Sequence, residues 1–282
     1  MIPIPFRKDL NEVLRIIAAK LDIDETRYKN ASDKYQAVTK WLIADSSSLK
    51  IYKPDIYPHG SFALGTIVKP LSNDEYDIDL VCELYGCSGN PEEIKYLIGK
   101  RLIENSIYQP PTLEEKNRCW RLNYAREFHL DILPARPLSS VKISDTTIEV
   151  PDKDLNDWVI SDPKGYIAWF MNQMSQQFSR NRLIMAEIKN LSVEDIPAYR
   201  VKTTLQQAIQ LIKRNRDIVF EDDYEDKPIS IIITTLAGLS YLNEADLFEA
   251  LRALVKTIPE KITYKNDVAW VKNPVNNNEN FA

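Results

Sequence analysis

Histidine, cysteine and glycine are all scarce in this chain, and each scarcity removes a class of function. With two histidines, His59 and His129, and three cysteines, Cys82, Cys87 and Cys119, there are too few imidazole and thiolate donors for a structural zinc site. The spacing Cys82-x4-Cys87 has no matching second half. The cysteines are also too few and too unevenly placed for a disulfide framework, so a reducing cytoplasm is the expected compartment. No N-terminal signal and no long apolar span are present, and no membrane partner is expected. A net charge of −5 argues against a broad basic face that tracks nucleic acid, although a local basic patch is compatible with it. What remains is a chain of 282 residues, 44% of them hydrophobic, long enough for one large domain or two closely packed lobes.

Against that background the stretch from His59 to Leu84 stands out. Only seven glycines occur in the chain, and two of them, Gly60 and Gly65, bracket Ser61, Phe62, Ala63 and Leu64. Glycine permits close backbone approach to a ligand, and amides at a turn or helix start, together with the Ser61 and Thr66 hydroxyls, suit phosphate oxygens. Taken alone the segment also reads as an ordinary turn before a short helix, and it is not a Walker loop, because no Gly-Lys-Ser/Thr follows. Further on, Ile78, Leu80 and Cys82 alternate with Asp77, Asp79 and Val81, which predicts a strand with both aspartates on one face. Two neighbouring carboxylates in an apolar element repel each other unless they face water or a cation lies between them. Magnesium, a hard cation held by carboxylates and substrate phosphates, suits such a pair.

A third acid has the same character. Arg118 to Tyr124 and Glu127 to Leu133 read as paired strands, with Asp131 between Leu130 and Ile132. Asp131 either caps a turn at Pro134 or, if the strand segments lie side by side, joins Asp77 and Asp79. Three carboxylates so arranged can bind two magnesium ions.

The rest of the chain divides by pattern. Leu10, Val13, Leu14, Ile17 and Leu21 predict one helix, and Tyr28, Ala31, Tyr35, Val38 and Leu42 a second. A strand over Lys50 to Tyr57 and a helix from Glu92 to about Ile103 follow. After Pro134 comes a crossing region with Pro137, two serines and a short hairpin through Ile148 to Val150. From Pro163 onward nearly everything reads as helix, with stops at Pro197, Pro228 and Pro259. This gives an expected catalytic core over 1–150 and a helical lobe over 151–282.

Gly60-Ser61, then Asp77-Ile78-Asp79, then Asp131 within His129-Leu130-Asp131-Ile132-Leu133-Pro134 resembles the polymerase-beta-like nucleotidyltransferases. Within them the chain is most similar to the bacterial CD-NTases, relatives of cyclic GMP-AMP synthase, and the likeness extends through Leu205 to Phe220, Lys227 to Gly238 and Asn273 to Ala282. The resemblance implies an α+β fold, with a mixed-sheet lobe, a helical lobe and a cleft between them. It implies a magnesium-dependent enzyme, with manganese as a substitute, that joins nucleoside triphosphates into a cyclic di- or trinucleotide and releases pyrophosphate. ATP is expected among the substrates, with GTP or a pyrimidine nucleotide as the other.

On the same resemblance, Asp77, Asp79 and Asp131 are the catalytic metal ligands, Gly60, Ser61 and Thr66 border the phosphates, and Lys213 and Ser230 hold the donor triphosphate. From the residues alone, the Lys213-Arg214-Asn215-Arg216 run is equally a solvated helix face, and Ser230 equally a helix cap. Antiphage signalling, a downstream effector and a regulatory partner are implied too. Duplex DNA is not an expected activator, because the animal DNA sensor grips DNA through a zinc insertion that this chain has no ligands to build. Other readings are a nucleotidyltransferase that modifies RNA or protein, and a nucleotide-binding sensor without turnover, which normally lacks one of the acids.

Overall fold

The computed structural model describes residues 4–71, 75–124, 127–138, 146–154 and 156–282. Ser72, Asn73 and Asp74 of the glycine-to-aspartate stretch, and the two serines after Leu138, lie outside the described residues. In chain order the elements are α1 (Ile4–Leu21), α2 (Glu25–Ile43), β1 (Asp55–His59), α3 (Gly60–Leu64), β2 (Tyr76–Glu83), α4 (Pro91–Ile103), β3 (Leu113–Glu115), β4 (Trp120–Tyr124), β5 (Phe128–Pro137), β6 (Ile148–Asp152) and β7 (Asp157–Ser161). They continue with α5 (Pro163–Gln173), α6 (Ser175–Lys189), α7 (Thr204–Val219), α8 (Ser230–Ser240), α9 (Leu247–Lys261), β8 (Thr263–Lys265) and β9 (Val268–Trp270). The class is α+β.

Two compact units form. One comprises Asp24–Ala63 with Pro70–Ile167; the other comprises Met1–Ile23, Leu64–Lys69 and Ala168–Ala282. Both are therefore discontinuous in sequence, and α1 belongs with the later helices even though it opens the chain.

The first unit is built on a mixed sheet of order β1-β2-β5-β4-β3, extended by β6 beside the end of β5 and by β7 beside β6. Strands β2 and β5 run parallel and all their neighbours antiparallel. The alternation read in the sequence is the alternation observed: Ile78, Leu80, Leu130, Ile132 and Leu122 are all fully buried, while the residues between them turn to the other face. Each such side chain contributes about 1.5–3 kcal/mol through burial. Helix α4 opens with a capping box, in which Asn90 Oδ1 accepts from Glu93 N and Glu93 Oε2 accepts from Asn90 N.

Three expectations are corrected. The predicted strand over Lys50 to Tyr57 is a 3₁₀ turn, Ser48–Tyr52, followed by β1. Ser47 caps that turn by accepting from Leu49 N, and Lys53 leaves it in a left-handed conformation. Pro259 does not stop a helix, for α9 runs through it to Lys261. The stretch after Lys261 is no helix: β8 and β9 form a hairpin across Asn266 and Asp267, both at positive φ (51° and 63°), as a tight primed turn requires.

The second unit gathers α1, α5 from Ala168 onward, and α6 to α9. Helix α7 opens with another capping box, Thr203 with Gln206. Along one face it carries the buried polar residues Gln206, Gln210 and Lys213, spaced i, i+4, i+7 so that they form a row. Among the described residues no helix is long and apolar enough to cross a membrane.

Candidate active site

The three acids meet on one face of the sheet. In the parallel β2–β5 pair Asp79 lies opposite Asp131 and Asp77 opposite His129, and residues opposite one another in a ladder share a face. The antiparallel neighbours extend both rows: His59 of β1 is paired with Asp79, Arg121 of β4 with Asp131, and Asn123 with His129. Two polar rows, His59-Asp79-Asp131-Arg121 and Asp77-His129-Asn123, thus lie opposite the apolar face formed by Ile78, Leu80, Leu130 and Ile132. Asp131 does not cap a turn at Pro134, since β5 continues to Pro137.

Arg121 binds this cluster together. Its Nε donates to Asp131 Oδ1 and its Nη2 to Asp131 Oδ2, both at 2.7 Å, and Nη2 also reaches Asp77 Oδ1 at 3.2 Å. The hydrogen bonds to Asp131 hold the guanidinium protonated more firmly than usual. Desolvation pushes the Asp77 carboxyl upward, and Arg121 only partly offsets it, with Asp131 adding repulsion. His59, deprived of water, has its pKa lowered to about 4 and is neutral near pH 7 despite the attraction of Asp131. Burial, with Asp131 beside it, likewise raises the Cys119 thiol to about 12. One further pair borders the cluster, with His129 Nδ1 3.0 Å from Glu75 Oε2.

Gly60 is tied to the acids by sterics. It has φ of +61°, and a methyl group on its Cα would overlap the Asp79 carboxylate. Only glycine satisfies both conditions without strain. The Gly-Ser turn and the aspartate strand are therefore one feature in space: β1 delivers Gly60 and Ser61 into α3 directly beside Asp79.

The other expected contacts lie in the helical unit. Lys213 is buried and donates to both Thr66 O and Thr66 Oγ1 at 3.2 Å, which excludes a solvated helix face and brings two predicted residues together. Its row binds the segment Leu64–Lys69 in the same way. Gln206 Nε2 donates to Leu64 O at 2.9 Å, Gln210 Nε2 to Ile67 O at 2.7 Å, and Arg214 to Lys69 O. Lys202 binds Gly65 O and Asp22 Oδ1, both at 2.9 Å. Ser230 is exposed in the first turn of α8, where its Oγ accepts from Arg216 Nη1 at 3.1 Å; these contacts do not join it to Lys213.

The donor set suits a hard divalent cation, because the sheet face offers three carboxylates and no soft ligand except a thiol held protonated. Among the described residues, however, no group of three or more histidine, cysteine, aspartate or glutamate side chains is gathered as a metal cage. The cation among these acids is Arg121. It had escaped the reading of the sequence, although it carries the same signal as Asp131: a charge flanked by Trp120 and Leu122 within a strand.

Comparison with known proteins decides the family. Residues 9–173 match the Second Messenger Oligonucleotide or Dinucleotide Synthetase domain. A c-di-GMP synthase of Roseivirga ehrenbergii is 33% identical over 98% of this chain and 73% of its own length. The chain belongs to this family. It is a bacterial-type CD-NTase and a nucleotidyltransferase enzyme. The cyclic dinucleotide synthase CdnG of Bradyrhizobium diazoefficiens is 26% identical over 83% of this chain and 59% of its own length, so the chain spans less than two thirds of that relative. The structure of that CD-NTase in complex with GTP superposes with a TM-score of 0.74 at 22% identity, covering 97% of this chain and 84% of the other, which shows a shared fold.

Proposed function

We propose that this CD-NTase makes a cyclic dinucleotide from GTP, releasing pyrophosphate, with ATP as the alternative second substrate. The observation that carries the reading is the convergence of Asp77, Asp79 and Asp131 on one sheet face beside a glycine that nothing larger can replace. The choice of guanine is supported by the two relatives, one named a c-di-GMP synthase and the other solved with GTP. Asp77, Asp79 and Asp131 would hold magnesium, which supplies Lewis acidity toward the acceptor hydroxyl and neutralises the leaving pyrophosphate.

The chain's own groups do the rest. Asp131, opposite Asp79, is placed in this reading to orient the attacking ribose hydroxyl toward the α-phosphate. Ser61 and the open side of Gly60 border the phosphates, where any larger residue would push against Asp79. Lys213 and Thr66 act as a pair that fixes the segment following the turn. His59, neutral near pH 7, adds no charge to a site already crowded with carboxylates. A role in antiphage signalling through a downstream effector follows from the same reading.

The test is chemical. The purified protein is incubated with magnesium and α-labelled GTP, alone and with ATP, and the products are treated with phosphatase. A phosphatase-resistant small product containing guanosine is expected; label on RNA or protein instead, or no turnover, would overturn the reading.

A further inference from the structure

The acids of this site already hold a cation, and it belongs to the chain. Arg121 grips both oxygens of Asp131 at 2.7 Å and reaches Asp77 at 3.2 Å. A planar guanidinium forked on a carboxylate is a strong, directional contact. It is also well sheltered: the side chains of Arg121 and Asp131 are only 23% and 15% exposed, so water screens the pair weakly. The oxygens that Arg121 occupies are oxygens a divalent cation would need.

We propose that Arg121 is an internal counter-cation that competes with the divalent metal for Asp131 and Asp77, so that metal binding requires the guanidinium to give up carboxylate oxygens that it grips. This rests on the reading of Asp77, Asp79 and Asp131 as metal ligands. Arg121 is then a positioning residue. Its contacts to Asp131 and Asp77 neutralise part of their charge, so the site resists a metal ion arriving alone. The contact to Asp77 is the longer one and the more exposed, Asp77 being 55% open to solvent, so it yields first.

The experiment is a manganese titration followed by electron paramagnetic resonance, without nucleotide, on the wild type and on Arg121→Gln, Arg121→Lys and Asp77→Asn. Loss of the competing charge should tighten metal binding by about tenfold or more in Arg121→Gln. Arg121→Lys keeps the charge but not the fork and should fall between that variant and the wild type, while Asp77→Asn should bind more weakly. Affinity in Arg121→Gln that is unchanged or weaker overturns the proposal alone, provided that Asp77→Asn still weakens binding. If Asp77→Asn also leaves affinity unchanged, the metal-site reading fails and takes the proposal with it. Should Arg121→Gln not fold, the wild type labelled with ¹⁵N-arginine gives a second measurement. The Nε resonance assigned to Arg121 by its loss in Arg121→Lys should shift as magnesium fills the site, and a resonance that does not move overturns the proposal.

Discussion

The carboxylate face of the sheet and Lys213 of α7 were both expected to serve nucleotide chemistry, yet the sheet face and the polar row to which Lys213 belongs are built on opposite principles. On the sheet, like charges are crowded together: desolvation and the repulsion of Asp131 and Glu75 lift the Asp77 carboxyl above the ordinary range, and Arg121 only partly offsets them. On α7, Gln206, Gln210 and Lys213 are buried and each is matched to an acceptor on the segment Leu64–Ile67. Crowding of this kind favours the native state only weakly, and it makes sense where a cation and phosphates arrive later. Matching of the α7 kind stabilises the fold as it stands, since a buried polar group left without a partner costs about 1–3 kcal/mol. The difference separates residues kept for chemistry from residues kept for position.

The comparison can be broken in several places. The largest effect is expected at Asp77→Asn, where turnover should fall by about a thousandfold or more with the loss of a proposed metal ligand. The melting temperature should hold or rise as carboxylate repulsion is relieved, and calorimetry beside a turnover assay reads both. Lys213→Met should behave in the opposite sense. By stranding Thr66 O and Oγ1 it should destabilise the protein by about 1–3 kcal/mol in urea unfolding, and a variant that unfolds like the wild type would remove the structural half of the contrast. Gly60→Ala combines the two, with an expected loss of about 1–2 kcal/mol from the left-handed φ and a drop in turnover from displacement of Asp79.

The smallest effect lies beyond the buried row. Burial works against ionisation of Asp217, but Lys227 and Arg216 outweigh it and hold the carboxyl below its usual range. Because the folded value is depressed, this pair stabilises the protein above the unfolded value near 3.8 and the contribution is lost as pH falls through the folded one. Asp217→Asn should therefore lower stability slightly at neutrality and flatten the acid limb, the two proteins converging once the pH falls below the folded value.

Much of the sheet was legible because its signals are local. Alternation from Tyr76 to Glu83 fixed which face Asp77 and Asp79 share, while the charge between Leu130 and Ile132 marked Asp131 as either a turn cap or their partner, a choice that the strand register settles. Helix α2 was legible for the same reason, with Ala31, Val38 and Leu42 buried as their spacing requires. Helix α1 was legible as a helix but not in its packing: Val13 and Ile17 are 51% and 41% exposed, while Ala18 is buried. Periodicity marks an apolar face without saying what covers it. The grouping of α1 with α6 to α9, and the matching of α7 to Leu64–Ile67, join residues more than 140 positions apart, and no local pattern encodes such a pairing. Arg121 could have been read. A cation in mid-strand carries the same desolvation penalty as Asp131, and the two penalties are resolved by one contact.

The most direct test of the whole account is the product formed from α-labelled GTP and magnesium by the wild type and by Asp77→Asn, both shown to be folded. The account predicts a phosphatase-resistant guanosine-containing product from the first and none from the second; near-normal synthesis by Asp77→Asn would contradict it.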